Sequence, residues 1–243
     1  DERIDMAAIE KHQGHDAEKS HELHQKLMSI TDITGSFIIG TGAVIVEGTS
    51  GTKTDFVIGD KRISQKTPSG RNTQVWLPTK KTLFIHVPGL ASAKTQILEL
   101  IGTPLDSKKT TEIADFDAAI DAFNAATIDR TLLNKMFLQV DKEEPVQYIS
   151  WVKKSKGGGG LTLIDAKKYV DYLQQNAIWI KRDTTLWLIN KDDVTMPPRK
   201  MRKYAHFQRK GSGQKDTPMF HMYSTWPEDA VLHHDPKFVI SGI

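Results

Sequence analysis

The sequence predicts an α/β domain, a central mixed sheet flanked by helices. Three observations carry that reading. Residues 111–139 hold an apolar stripe at helical spacing, among them Ala119, Phe123, Leu132, Leu133 and Met136. Short apolar or alternating runs bounded by turn residues recur on both sides of that stripe, as strands do. The apolar fraction is 38% and charged residues are 26%, enough for a folded core and too apolar for wholesale disorder. At 243 residues the simplest organisation is one domain over 1–243 with a helical insertion around 105–140.

The elements follow in order. Residues 1 to about 30 read as a helix, or two, because Ile4, Ala8, Leu23, Leu27 and Met28 recur at helical spacing and Gly14 interrupts them. Residues 34–47 read as strand, with Gly40 and Gly42 marking a bend. Residues 53–66 read as two short strands around the turn chemistry of Gly59-Asp60. A loop at 67–72 runs into Asn72, Thr73 and Gln74, and short apolar runs follow at 75–77 and 83–87. Ser92 caps a helix over 92–101 that Gly102 and Pro104 stop. Asp129-Arg130 marks a joint between two helices within 111–139. Residues 146–152 read as strand. The basic Gly-rich stretch 153–160 lacks the Gly-Lys-Ser/Thr ending of a phosphate-binding P-loop. Asp165 caps a helix over 165–175. Runs at 177–180 and 185–189 make a hairpin, and 206–209, 219–223 and 238–240 are strands. The five tryptophans lie mostly in such apolar strands, as core residues first and base-stacking platforms second.

Composition limits the function classes. There is no cysteine, which excludes disulfides and thiolate zinc sites and fits an intracellular protein. No run of about 18 apolar residues is present, so no membrane helix is expected. The start carries no secretory pattern, and a first residue of Asp rather than Met points to a trimmed chain. Net charge is only +3. Its distribution says more: Arg199, Lys200, Arg202, Lys203, Arg209 and Lys210 put six cations within twelve residues, with no acid between them. Such a block suits phosphate contacts, or else a solvated loop after Pro197-Pro198. The pairs His12/His15 and His21/His24 can each share a helical face as a metal site would need, but the neighbouring Lys11, Lys19 and Lys26 fit a solvated face.

The 53–66 hairpin carries the chemistry. Strand geometry puts Ser64 and Lys66 on one face, and Asp55 opens the partner strand. A carboxylate and an ammonium can therefore meet across one hairpin, beside an edge where a phosphate could lie. That is what a metal-dependent phosphodiesterase needs. The Gln65 side chain points to the other face, but its main-chain carbonyl could ligate a hard cation.

Asp55, the hairpin, and then Ser64-Gln65-Lys66 resemble the PD-(D/E)xK nuclease signature of restriction endonucleases and junction resolvases. Ser64 stands where that family usually has Asp or Glu, and Thr54 where Pro is common. The run His206-Phe-Gln-Arg-Lys-Gly-Ser-Gly-Gln214, followed by Met219-Phe-His-Met222, resembles a C-terminal strand-turn-strand of some type II restriction endonucleases and related phage proteins. The resemblance implies a restriction-endonuclease-like sheet and a divalent-metal-dependent DNA endonuclease. Its cofactor would be Mg²⁺, with Mn²⁺ as substitute, and its partner double-stranded DNA. It also implies the cytoplasm of a bacterial or phage-infected cell, and leaves a homodimer open.

By the same resemblance Asp55 and a helix Glu hold the cation, Lys66 stabilises the transition state, and Ser64 hydrogen-bonds a water of the cation's shell. Glu22 is the preferred helix acid because Leu23 and Leu27 pin its helix to a core. Glu18, one turn away, and Glu47, at a strand end, are its rivals. Gln208, Arg209 and Lys210 approach the phosphate, with Arg202 and Lys203 beside them. Asn72 and Gln74 are base readers, since amide side chains match adenine edges in the major groove. Two alternatives stay open. One is a catalytically inactive DNA-binding or phage structural protein on the same fold, with Ser64 as the mark of a lost site. The other is a protein-interaction domain in which the basic block is incidental.

Overall fold

Two sheets, not one, take up the described strands of this chain. The computed structural model describes residues 43–45, 52–58, 61–66, 72–102, 116–153, 160–182, 185–209, 217–223 and 239–241. In chain order the elements begin with β1 (Ala43–Ile45), β2 (Phe56–Ile58), β3 (Lys61–Lys66) and β4 (Asn72–Trp76). Next come α1 (Lys80–His86), a 3₁₀ turn (Pro88–Ala93), α2 (Lys94–Gly102), α3 (Phe116–Ile128) and α4 (Thr131–Phe137). Then follow β5 (Tyr148–Lys153), β6 (Gly160–Asp165), α5 (Ala166–Asn176), β7 (Ala177–Arg182) and β8 (Thr185–Asn190). A 3₁₀ turn (Lys191–Asp193), β9 (Lys203–Arg209), β10 (Pro218–Tyr223) and β11 (Val239–Ser241) complete the described chain. It divides into two compact units: Asp1–Gly70, Leu138–Lys167 and Val231–Ile243 in the first, Arg71–Phe137 and Lys168–Ala230 in the second.

The first unit holds a six-stranded sheet in the order β1-β2-β3-β5-β6-β11. Its neighbours are antiparallel except β3 and β5, which run parallel from Ile63 beside Tyr148 to Lys66 beside Trp151. Parallel neighbours need a long crossover, and here the chain between them carries all of 71–137. The sheet is mixed, as the sequence suggests. Gln147 fixes the start of the parallel pair. Its side-chain oxygen accepts the Arg62 N–H at 2.6 Å, and its own N–H donates to the Arg62 carbonyl at 2.9 Å.

The second unit holds a wholly antiparallel sheet in the order β4-β10-β9-β8-β7. Directly opposite residues share a face, so register sorts the side chains. One face carries Trp179, Leu186, Leu188, Phe207 and Phe220, all fully buried. Helix α3 covers it, with the Phe123 ring 5.2, 4.9 and 6.1 Å from those of Trp179, Phe207 and Phe220. Helix α3, within the 111–139 stretch, thus packs on the five-stranded sheet of its own unit. Helix α3 also closes the edge strand β7. The Asn124 amide accepts the Trp179 N–H at 2.8 Å and donates to the Trp179 carbonyl at 3.3 Å, using up groups that an open edge would offer to another strand.

The joint at Asp129-Arg130 forms as read. The Asp129 carboxylate accepts from the Thr131 N–H at 2.9 Å and from its hydroxyl at 2.6 Å, while Arg130 turns the chain with φ 70°. One reading needs correction, and another is made specific. Ser92 is not a helix cap: it lies in the 3₁₀ turn, its hydroxyl donates to the Gly89 carbonyl, and α2 starts at Lys94. The apolar run at 83–87 is largely helical, because Thr79 and Thr82 form a reciprocal cap (2.8 and 3.1 Å) that starts α1. Among the described residues no helix is long and apolar enough to cross a membrane. The expected helix over residues 1–30, with Glu18, Glu22 and the histidine pairs, lies outside the described residues.

Candidate active site

Burying polar groups is costly unless they are hydrogen-bonded, so their placement is informative. Eight polar or charged residues are buried among the described ones, and four of them, Lys53, Thr54, Ser64 and Gln65, surround Asp55. No other part of the described chain gathers as many.

The hairpin register explains the cluster. Phe56 pairs with Ile63, and the Asp55 N–H donates to the Ile63 carbonyl at 2.9 Å, so Asp55 stands beside Ser64. Strand β3 outruns β2, so past the last pair of that ladder, Phe56 with Ile63, lies the Gln65 N–H. The Asp55 carboxylate takes it at 2.6 Å, and the Ser64 hydroxyl reaches the same oxygen, Oδ2, at 3.4 Å. Strand alternation then puts Lys66 on the Ser64 face, one residue pair or about 6.6 Å farther along. Asp55, Ser64, Gln65 and Lys66 are therefore brought together at one strand end, with the Gln65 side chain buried on the reverse face.

Sequence reasoning missed Glu143. Its two carboxylate oxygens accept the Lys53 N–H at 2.7 and 2.9 Å, and it also takes the Val140 N–H at 3.2 Å and the Thr54 hydroxyl at 3.4 Å. It ties the residues just before Asp55 to the turn before β5. The only signal was an acidic turn, Asp141-Lys-Glu-Glu-Pro145, and nothing in it says which acid turns inward or that its partner lies 90 residues away.

The other predicted residues fall elsewhere. Glu22, Glu47 and Lys210 lie outside the described residues. Asn72 and Gln74 are on strand β4, not in a loop, and Gln208 and Arg209 are on β9; all four belong to the five-stranded sheet of the second unit. Strand β9 is thus no neighbour of the hairpin within a sheet. Arg202 is engaged in structure: its Nε and Nη2 donate to the buried Asp193 at 2.9 and 3.0 Å, its main-chain N–H at 2.7 Å. These bonds hold the Asp193 carboxyl below its ordinary pKa. Lys203 lies over the Trp187 ring, 4.4 Å from its centroid. Among the described residues no group of three or more His, Cys, Asp and Glu side chains could hold a metal.

A second cluster also went unread. His206 and His221 face each other across β9 and β10, His221 Nδ1 to His206 Nε2 at 3.2 Å. Burial, and then the neighbouring His221, pushes His206 down to about 3, and burial pushes His221 down to about 4, so both are neutral at pH 7. A partial signal was present: the alternating runs 206–209 and 219–223 flank a Gly-rich stretch, as the strands of a hairpin do, but the pairing of these two histidines is not readable from it.

Comparison of the chain with protein-family models and with curated proteins gave no match.

Proposed function

We propose that the chain is a divalent-metal-dependent DNA endonuclease. The observation that carries the reading is the Asp55 hairpin: a carboxylate oriented by the Gln65 N–H and the Ser64 hydroxyl, with Lys66 next along the same strand face. The donor set is oxygen, the Asp55 carboxylate and the Gln65 carbonyl, which suits Mg²⁺ in kind. One carboxylate is few for that ion, and Glu22 or Glu47 would supply the second. A bound Mg²⁺ would supply Lewis-acid polarisation of the phosphate.

The chain's own residues would do the rest. Lys66 offers a fixed positive charge where negative charge builds on phosphorus. The Gln65 N–H and Ser64 hold the Asp55 carboxylate at one angle, and Glu143 fixes the chain that enters it. A second reading has its own support. Asp55 Oδ2 already serves as a strand-end cap, and Ser64 replaces the family's usual acid, as in a DNA-binding protein that no longer cuts. A plasmid-nicking assay with Mg²⁺ and with Mn²⁺ separates the two: cleavage supports the first, binding without cleavage the second.

A further inference from the structure

The five-stranded sheet has a second face, opposite the one α3 covers. Register runs a row straight across it: Trp187 beside His206, His206 beside His221, His221 beside Gln74. Tyr223 and Asn72 form the next pair on that face. Two irregularities shape it. An extra residue in β9, Tyr204, brings Lys203 opposite Ile189 and so onto the Trp187 face, and an extra residue in β4 keeps Asn72 and Gln74 there too. Gln74 is exposed, and Asn72, Trp187, Lys203 and Tyr223 are half-buried.

Among the described strand residues of this sheet the charges have one sign. Strands β4, β7, β8, β9 and β10 contain no Asp or Glu. The Lys203 ammonium lies 4.4 Å from the Trp187 ring centroid and 5.9 Å from that of Tyr223, and the Arg182 guanidinium is 5.9 Å from Trp187. Trp187 and Tyr223 meet edge to face at 6.1 Å. Aromatic faces, cations and amide side chains on one sheet face are the elements that bind bases and phosphates together.

From this arrangement we infer that the accessible rim of this face, around the buried His206 and Ile189, binds single-stranded nucleic acid, with bases stacking on Trp187 and Tyr223 and phosphates drawn to Lys203 and Arg182. Single strand is favoured over duplex by width. Five strands span about 19 Å, at ~4.8 Å per spacing, whereas the major groove is about 12 Å wide and admits one helix or a two-stranded ribbon. Asn72 and Gln74 can then reach base edges only where those bases are unpaired. The inference rests on the nucleic-acid reading above but not on catalysis.

The test is fluorescence anisotropy of a labelled oligothymidine strand with the full chain in EDTA, so that no cleavage intervenes, against a duplex of equal length as competitor. The strand should bind more tightly than the duplex. Trp187→Ala should weaken it about tenfold or more, as loss of one stacked base does, and Lys203→Gln should weaken it and lower the salt slope by about one. Binding should also quench tryptophan emission, and Trp187→Phe should remove most of that quenching. Tighter duplex binding would overturn the inference. So would unchanged affinity in both variants, each first shown by circular dichroism to be folded. Strand binding without any Mg²⁺-dependent cleavage would leave it standing and remove the nuclease; cleavage with no strand binding would do the reverse.

Discussion

Stability should fall between pH 8 and pH 5, and His206 should carry a definable part of the fall. In the folded chain this imidazole is buried and stays neutral down to about pH 3, while the unfolded chain takes up its proton near pH 6.5. Between those values the unfolded state binds the extra proton, so stability is complete above about 6.5 and is lost as pH falls toward 3. At pH 5, about 1.5 units below the unfolded value, the loss from this group is ~2 kcal/mol at 1.36 kcal/mol per unit. His221 is displaced the same way, toward about 4, and adds a similar sign. Asp193, lowered from 3.8, is still ionised in both states at pH 5 and hardly contributes there. Urea denaturation at pH 8 and pH 5 measures the difference directly. In His206→Leu the loss between the two pH values should shrink by about 2 kcal/mol. An unchanged loss would mean that His206 is not held neutral in the folded chain, and would refute the buried pair.

Further outcomes follow from particular contacts. Phe123→Ala empties the centre of the second unit's core, where three rings meet Phe123, and should cost about 3–5 kcal/mol in denaturant titration. Arg202→Ala strips the buried Asp193 of its side-chain donors; it should destabilise by roughly 1–3 kcal/mol at pH 7, and by less as acid protonates Asp193. Glu143→Ala leaves the Lys53 N–H without its acceptor; a loss of about 1–3 kcal/mol is expected, together with slower cleavage, because the chain entering Asp55 is no longer fixed. Lys210→Ala should weaken DNA binding about equally on all sequences and reduce the salt slope by about one, and isotherms at several salt concentrations check this.

Local signals were the legible ones. The pairing of strands β2 and β3, the Asp129-Arg130 joint, the 177–190 hairpin and the C-terminal strands all declare themselves within a few residues, where turn and capping chemistry acts. Asp55 and Lys66 were findable for the same reason, since one hairpin sets their register. What the sequence hid is long-range. Asn72 and Gln74 look like a polar loop because β4 is an edge strand on which Asn72 is half-buried and Gln74 exposed. The run Leu83-Phe-Ile85 has strand-like composition, and the Thr79–Thr82 cap decides for helix. The partition of strands between two sheets depends on pairings dozens of residues apart, such as Ile63 with Tyr148, that no local pattern announces. The six-cation block was overcounted because its neutralising acid, Asp193, lies upstream of it and meets Arg202 only in the fold.

If the Asp55–Lys66 hairpin cuts phosphodiester bonds, as proposed, cleavage of supercoiled plasmid reads it out without an intermediate step. The wild-type chain should nick or linearise plasmid with Mg²⁺ or Mn²⁺ and not in EDTA. Asp55→Asn should abolish cleavage, and Lys66→Ala should slow it on the order of 10²–10³-fold, as loss of a transition-state charge partner does, with both variants still folded and still binding DNA. Cleavage that survives Asp55→Asn, or a pure wild-type chain that binds plasmid with either metal and never cuts it, would contradict the account.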